Sequence, residues 1–311
     1  MTSNATDPDS QQRRLSRTMV FLLVGYVALI VVLMAVRGAY ISPDLFVIFA
    51  AVIAVVLGRT RLFLRDWLPI VAIFLGWESM RGLADQFGVA VHSDDVIALE
   101  QAIFFGTVPS VELQRMFHVV GSVNALDLFA TFLYVAHFAL PLTVGFVFWL
   151  VDRNRFYRYL LALMLMSFTA FICFLLIPVA PPRFAWAYGQ VLAVEDIARV
   201  TFEHLEFAPV TTWLYGTISG NPVAAFPSLH SAYPLLAFFF IRERWPRVGW
   251  LLLLYSAAVW FSVIYLAHHY VVDVIGGIAW AVGAYYALRS DRLSGLANRL
   301  AAWRPGFRRR A

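Results

Sequence analysis

Lysine is absent from this chain. All 24 of its basic residues are arginine. Cysteine occurs once, as Cys173 in an apolar run, which excludes an intramolecular disulfide framework and leaves packing as its role. Charge is scarce. Charged residues make up 14% of the 311, against about 25% in soluble domains. No internal repeat and no low-complexity segment breaks the sequence. What fills the chain instead is apolar: 61% of residues are hydrophobic and the mean hydropathy is +0.73. One water-soluble core cannot hide that much apolar surface, so the composition specifies an integral membrane protein. The apolar runs are spread along the whole length, which favours a single domain.

About 20 apolar residues cross a bilayer as a helix. Thr18–Val36, Leu128–Val151, Tyr159–Pro182 and Val248–Ala267 meet that standard. Val223–Ile241 follows closely, as does Tyr270–Leu288, which holds Asp273. Leu45–Gly58 is short, and Trp67–Leu83 is interrupted by Glu78 and Arg81, which are spaced to pair on one helical face. The expected fold is therefore an all-α integral membrane protein of about eight transmembrane helices. Residues 1–17 read as a disordered cytoplasmic tail, 18–290 as the membrane domain and 291–311 as a basic cytoplasmic tail. The first span is too long for the apolar core of a signal peptide and reads as an anchor.

The arginines set the orientation. With eight spans, nineteen of the 24 fall in the N-terminal tail, the C-terminal tail and every second loop. The positive-inside rule places both termini in the cytoplasm of a cell that carries the protein in its plasma or inner membrane. This distribution also explains the pI of about 9.5 without nucleic acid. On the other side lie two long segments, 84–127 and 183–222. They contain "DDVIALEQAIFFG", "VPSVELQRMF" and "VEDIARVTFEHLEF", which read as short amphipathic helices on the outer face.

Three short polar pieces share that outer side. They are "PPRF" with Arg183, "FPSLHSA" with Ser228 and His230, and "AHHYVVDVIGG" with His268, His269 and Asp273. The arginine distribution fixed the topology without using them, so their convergence is independent evidence for one site. His269 and Asp273 are spaced i, i+4 on a helix and so share one face. A carboxylate beside an imidazole fixes its tautomer and raises its basicity, which makes His269 a candidate nucleophile. His230 is a second imidazole able to give or take the leaving-group proton. Arg183 is a permanent cation whose fork suits phosphate oxygens, and Ser228 with nearby backbone N–H groups adds donors. The set fits phosphoryl transfer with no cofactor. No HExxH and no carboxylate cluster calls for a metal.

Each residue also has a structural reading. Asp273 costs about 2.5–3.5 kcal/mol inside a span unless used. His137, in "YVAHFALP", reads as a structural histidine. His268 faces about 100° away from His269 on a helix and is expected to matter less. Gly276 and Gly277 read as sites of close helix packing. The aromatic residues read mostly as lipid-facing surface and interfacial belt. The roles of His137, His268, Glu78 and Arg81, and the oligomeric state, stay open.

The order Arg, Ser-x-His, His-x-x-x-Asp resembles the type 2 phosphatidic acid phosphatase (PAP2) superfamily. "PSLH" at 227–230 and "HYVVD" at 269–273 match its second and third motifs. Leu229 replaces a glycine, Leu176 stands for the first motif's lysine, Phe184 for its proline and Val263 for the third motif's arginine. "APPRF", "FPSLHSA" and "HHYVVDVIGG" are similar to the branch of inositol phosphorylceramide synthases and sphingomyelin-synthase-like transferases. "WESMRG", "FFGTVPSVELQ" and "YVAHFALP" extend the likeness upstream. The resemblance implies a six-helix catalytic bundle with His269 forming a phosphohistidine, Asp273 orienting it, His230 as acid–base, and Arg183 and Ser228 as phosphate ligands. Arg81 or Arg199 is a candidate replacement for the missing cations. The implied partners are a phospholipid or lipid phosphate substrate and the membrane. The acceptor is a lipid hydroxyl, as in an inositolphosphotransferase, or water, as in a phosphatidic acid or polyprenyl phosphate phosphatase. A proton-coupled transporter and a non-catalytic lipid-binding scaffold are the rivals. The first would need polar residues at mid-membrane depth and repeated halves.

Overall fold

A computed structural model gives the structure of the protein over residues 43–81, 89–190, 192–204 and 222–302, apart from the side chains of 43–49 and 72–81. The expected tail 1–17, the span Thr18–Val36, the pairing of Glu78 with Arg81 and the last residues of the basic tail lie outside the described residues. So does the greater part of the outer segment beyond His204.

The described residues are helical. In chain order the helices are α1 (Pro43–Val56), α2 (Thr60–Arg81), α3 (Asp94–Ile103), α4 (Pro109–Phe117), α5 (Ala125–Ala136), α6 (Leu140–Val151), α7 (Arg153–Leu176), α8 (Ile197–His204), α9 (Leu229–Arg244), α10 (Pro246–Tyr265), α11 (Val271–Ala287) and α12 (Asp291–Ala302). Local signals start several of them. Asn124 caps α5, accepting from the Leu126 and Asp127 amides, while Asp127 reaches back to the Asn124 amide. Asp152 caps α7 and Ser228 caps α9. Proline opens α4 and α10, where its missing N–H leaves no bond unmade.

α9 is the centre of the bundle, packed by α6, α7, α10 and α11, with α5 beyond α10. One large apolar cluster runs through α1, α2, α6, α7, α9 and α11, built on residues such as Trp67, Phe148, Phe156, Leu163, Met166, Leu236 and Phe240. At the arginine-rich end, buried Asp66 of α2 accepts from Arg65, Trp149, Arg153 and Tyr157, and so ties α2 to α6 and α7.

The protein is a multi-pass membrane protein. By length and apolarity, Ala125–Val151, Arg153–Leu176 and Pro246–Tyr265 can each cross a bilayer. A fourth stretch qualifies if α11 and α12, bent by 72°, count as one. These are the qualifying stretches among the described residues, and the count of eight read from the apolar runs is not reached by them. α1, α9 and α11 have 14, 16 and 17 residues, or about 21–26 Å at 1.5 Å per residue, short of an average bilayer core of about 30 Å. Two expected boundaries also move. The stretch Tyr159–Pro182 stops being helical at Leu176, and the stretch that begins at Val223 becomes helical only at Leu229.

The chain between those boundaries is extended for a reason. Val179 bridges in parallel to both His92 and Ala224. The amides of His92, Ala180, Val179 and Ala225 donate to the carbonyls of Pro178, His92, Val223 and Val179. This short ladder fastens the segment before Arg183 to the segment before Ser228. The three short helices α3, α4 and α8 pack across the same end of the bundle, against α11, α10 and α5 respectively. Their positions fit the amphipathic segments expected there.

Candidate active site

Backbone bonds bring the three polar pieces together. The Arg183 amide donates to Ala267 O at 3.1 Å, joining the first piece to the third. The Ser228 amide donates to Asp273 O at 3.0 Å, joining the second to the third. Ser231 Oγ donates to Val274 O at 3.2 Å, one residue further along α11. This close approach needs glycine. A Cβ on Gly277 would lie 2.1 Å from Ser228 O and from Ser231 Oγ, and one on Gly276 would lie 2.5 Å from the Phe226 ring. Packing is thus what Gly276 and Gly277 do here.

The double histidine sits in a turn. The amides of His268 and His269 both donate to Val263 O, and Ala267 takes a left-handed φ of 58°. For a residue with a Cβ that conformation is strained, and such strain is common at functional sites. α11 starts only at Val271, so His269 and Asp273 are not one helical turn apart as the spacing predicts. Asp273 instead occupies the first turn, and its Oδ2 accepts from the Tyr270 amide at 2.9 Å. A carboxylate there satisfies an amide that the helix leaves free. The same oxygen lies 3.4 Å from His269 Nδ1, at the long end for a hydrogen bond.

His230, in the first turn of α9, points its Nδ1 at His269 Nε2 across 2.8 Å. Three groups, from α9, the turn before α11 and the first turn of α11, therefore form a chain: His230, His269, Asp273. Both His269 and Asp273 are buried. Arg183 is also buried. It donates from Nη1 to Asp196 Oδ2 at 2.9 Å, and its guanidinium lies 4.2 Å from the centroid of the Phe184 ring. Phe184 holds the place of the proline in the first motif, so the cation gains a flat apolar support where the motif would have a kinked chain. Ser228 is fully buried as the α9 cap, its Oγ accepting from the Ser231 amide at 3.3 Å. Its hydroxyl hydrogen is still available to donate.

Sequence reasoning undervalued two histidines. His137 closes α5 and begins the 3₁₀ turn His137–Ala139, where Leu140 N bonds His137 O. Pro141 explains the turn, because it has no N–H with which to continue the α-helical bond to His137 O. The break turns His137 into the site, with its ring centroid 4.4 Å from that of His230 and its Nδ1 bonded to Tyr134 O. The signal was present as "YVAHFALP", a histidine four residues before a proline in an apolar run. His268 is also a site residue. It is buried, its ring centroid lies 4.3 Å from that of Tyr134, and its Nε2 is 3.8 Å from Asp196 Oδ1. The expectation that it faces away rested on a helix that has not begun at that point. Burial, the Arg183 cation and the neighbouring imidazoles push the His268 pKa well below the ordinary range, so it is a neutral ring.

Asp196 carries no motif and was not found from sequence. It is held from behind by a buried polar network. Gln114 Nε2 donates to Glu195 O and to Tyr265 O, and the Glu195 amide donates to Gln114 Oε1. Glu195 Oε2 accepts from His118 Nε2 and the Gly121 amide, and His118 Nδ1 faces Asp127. Burial would raise the Glu195 pKa, but the bonds from His118 and Gly121 outweigh it and hold the carboxyl below its ordinary value. Arg199, a candidate for the missing cation, points elsewhere and pairs with Glu203 on the exposed face of α8. The Arg81 side chain lies outside the described residues. Among the described residues, no three His, Cys, Asp or Glu side chains are grouped so as to hold a metal ion.

With that geometry in place, the comparisons with known proteins are specific. The PAP2 superfamily model matches residues 94–287. A phosphoinositol dihydroceramide synthase of Bacteroides thetaiotaomicron is 28% identical over 164 residues, 50% of this chain and 53% of that protein. An inositol phosphorylceramide synthase of Candida albicans is 43% identical over 53 residues, 17% of this chain and 11% of that protein. The inositol phosphorylceramide synthase catalytic subunit of Saccharomyces cerevisiae is 33% identical over 109 residues, 32% of this chain and 26% of that protein. The matched region thus spans about half the length, or less, of these curated relatives. No solved structure gives a significant match.

Proposed function

Because the chain belongs to the PAP2 superfamily, we propose that it is a lipid phosphotransferase that moves a phosphoinositol group from a glycerophospholipid to the hydroxyl of a ceramide-like lipid. The observation that carries this reading is the chain His230–His269–Asp273 beside buried Arg183. The relatives' names supply the headgroup and the acceptor class.

The distances support one role for each residue. Asp273 faces His269 Nδ1 and favours the tautomer with its proton there. His269 Nε2 then carries the lone pair, and His230 Nδ1–H donates the 2.8 Å bond to it. A phosphodiester entering between the two rings meets the lone pair on one side and the proton on the other. His269 Nε2 forms a bond to phosphorus while the bond from phosphorus to the glycerol oxygen breaks. His230 gives its proton to that oxygen, and diacylglycerol leaves. In the second half, His230 removes the proton of the acceptor hydroxyl, whose oxygen attacks phosphorus and releases His269. Arg183 and the Ser228 hydroxyl are placed to bind the phosphoryl oxygens, where negative charge grows. Asp196, already on Arg183, holds the guanidinium in place.

Two further parts of the reading rest on the apolar runs and the arginine distribution together. They are the eight-span topology with both termini cytoplasmic, and a site that opens on the extracytoplasmic side at headgroup depth.

The test is purified protein in vesicles containing phosphatidylinositol labelled in the inositol and a ceramide. A new lipid carrying the label supports the transferase. Water-soluble inositol phosphate in its place, with ceramide present, assigns a hydrolase. No consumption of the donor while phosphatidic acid releases phosphate assigns the plain phosphatase.

A further inference from the structure

Glu100 is a carboxylate that the proposed chemistry does not use, and it is fully buried. It lies in the last turns of α3, a short helix outside the membrane bundle. α3 is held at the site end by the bridge from His92 to Val179 and by an apolar cluster of Ile97, Val108, Val179, Ala185, Ala225 and Tyr270. From there Glu100 Oε1 accepts the Val272 amide at 3.0 Å. Val272 is one of the first residues of α11, whose early amides have no partner inside the helix. Two carboxylates thus hold two amides, two residues apart, at one helix start: Asp273 takes the Tyr270 amide, and Glu100 takes that of Val272.

The second oxygens of both carboxylates are buried and unbonded, as is the Tyr270 hydroxyl between them in the sequence. A solvated surface capping residue would look different: its spare oxygen would face water. Leaving a buried acceptor unsatisfied costs about 1–3 kcal/mol, which is a large outlay for a bond that an exposed serine or asparagine cap would supply.

We propose that Glu100 is a positioning residue of the His269–Asp273 pair. Reaching from α3, it holds the first turn of α11 in register with His269, and its charge state adds to the field that Asp273 imposes on the imidazole. This rests on the reading of that pair as catalytic. Burial, with the Asp273 charge adding to it and the bonds from the α11 amides opposing it, raises the Glu100 pKa from its ordinary value to about 7. The titratable groups facing Glu100 are Asp273 and Tyr270, both from the start of α11, while the other members of the cluster around it are uncharged. Below that pH Glu100 is a neutral acid. Above it, a second negative charge stands beside Asp273.

The experiment compares wild type, Glu100→Ala, Glu100→Gln and Asp273→Asn as full-length proteins in vesicles, with turnover of labelled phosphatidylinositol in the presence of a ceramide measured from pH 5.5 to 8.5. Glu100→Ala is expected to lower kcat about tenfold or more, as loss of a group that orients a catalytic histidine does, with little change in KM. Glu100→Gln still accepts the Val272 amide, so it is expected to recover most of that loss at pH 6. It is also expected to lack the inflection near pH 7 that wild type shows. A kcat for Glu100→Ala within twofold of wild type overturns the proposal, and so does one pH profile shared by wild type and Glu100→Gln. If Glu100→Ala does not fold, the pH profiles decide alone. Loss of turnover in Asp273→Asn with both Glu100 variants silent removes this inference and leaves the catalytic pair standing. Full turnover in Asp273→Asn removes the pair itself.

Discussion

His230 Nδ1 and His269 Nε2 are joined by one hydrogen bond of 2.8 Å, although 39 residues separate them in the chain. Two imidazoles facing each other so closely cannot both present a proton, so one ring gives and the other receives, and Asp273 at His269 Nδ1 favours His230 as the giver. A phosphoryl group must open this bond to reach the nitrogen behind it. Arg183 supplies the favourable charge nearby, and the apolar rings of Tyr134 and Phe138 pack beside His230.

The two rings should fail differently. His269→Ala is expected to abolish turnover and leave no acid-labile phosphoprotein when donor lipid is added alone. His230→Ala removes the proton donor, an effect of about 10²–10⁴-fold on lipid substrates. With p-nitrophenyl phosphate, whose phenolate leaves with little protonation, the loss should be much smaller. Substantial lipid turnover by His269→Ala would exclude the phosphohistidine route.

His268 is neutral and packed between Tyr134 and the Asp196–Arg183 pair. His268→Ala is therefore expected to reduce turnover by roughly tenfold, well short of the loss in His269→Ala, with the larger part in KM for the donor lipid. Equal losses at 268 and 269, with folding verified by size-exclusion chromatography, would mean that the two roles are assigned to the wrong ring.

The glycine pair gives a purely steric test. A methyl on Gly277 meets the backbone carbonyl of Ser228, which cannot move without dragging the first turn of α9, whereas one on Gly276 meets the Phe226 ring. Overpacking of this kind costs about 1–3 kcal/mol. Gly277→Ala should lower the apparent Tm and the activity more than Gly276→Ala, because only the former separates His230 from His269. The reverse order in a thermal-shift and turnover comparison would contradict the close approach of α9 and α11.

Topology is tested with single cysteines at exposed positions of opposite ends, Ser122 and Ser290, in a Cys173→Ser background. Ser122 follows α4 at the site end and Ser290 lies between α11 and α12 at the arginine-rich end. A membrane-impermeant maleimide added to intact cells should label Cys at 122 and spare Cys at 290. Labelling of both, or of 290 alone, would refute the extracytoplasmic site.

Sequence alone determined the membrane class and the helical architecture, and it singled out polar residues that the fold brings into one candidate site. Apolar runs report helices in a bilayer because unpaired backbone groups have no alternative there. Arg183, Ser228, His230, His269 and Asp273 were visible because polar residues in apolar runs need a reason. Tertiary structure decided the rest. His269 and Asp273 meet because Asp273 caps a helix that starts two residues after His269, a boundary that periodicity does not mark. His137 enters the site only because Pro141 breaks the helix behind it, and His268 because the turn at Ala267 folds back on Val263. Asp196 and Glu100 carry no motif. Glu100 reaches the Val272 amide from α3 and Asp196 meets Arg183 from the residue before α8, and contacts of that kind exist only once α3 and α8 have packed across the end of the bundle.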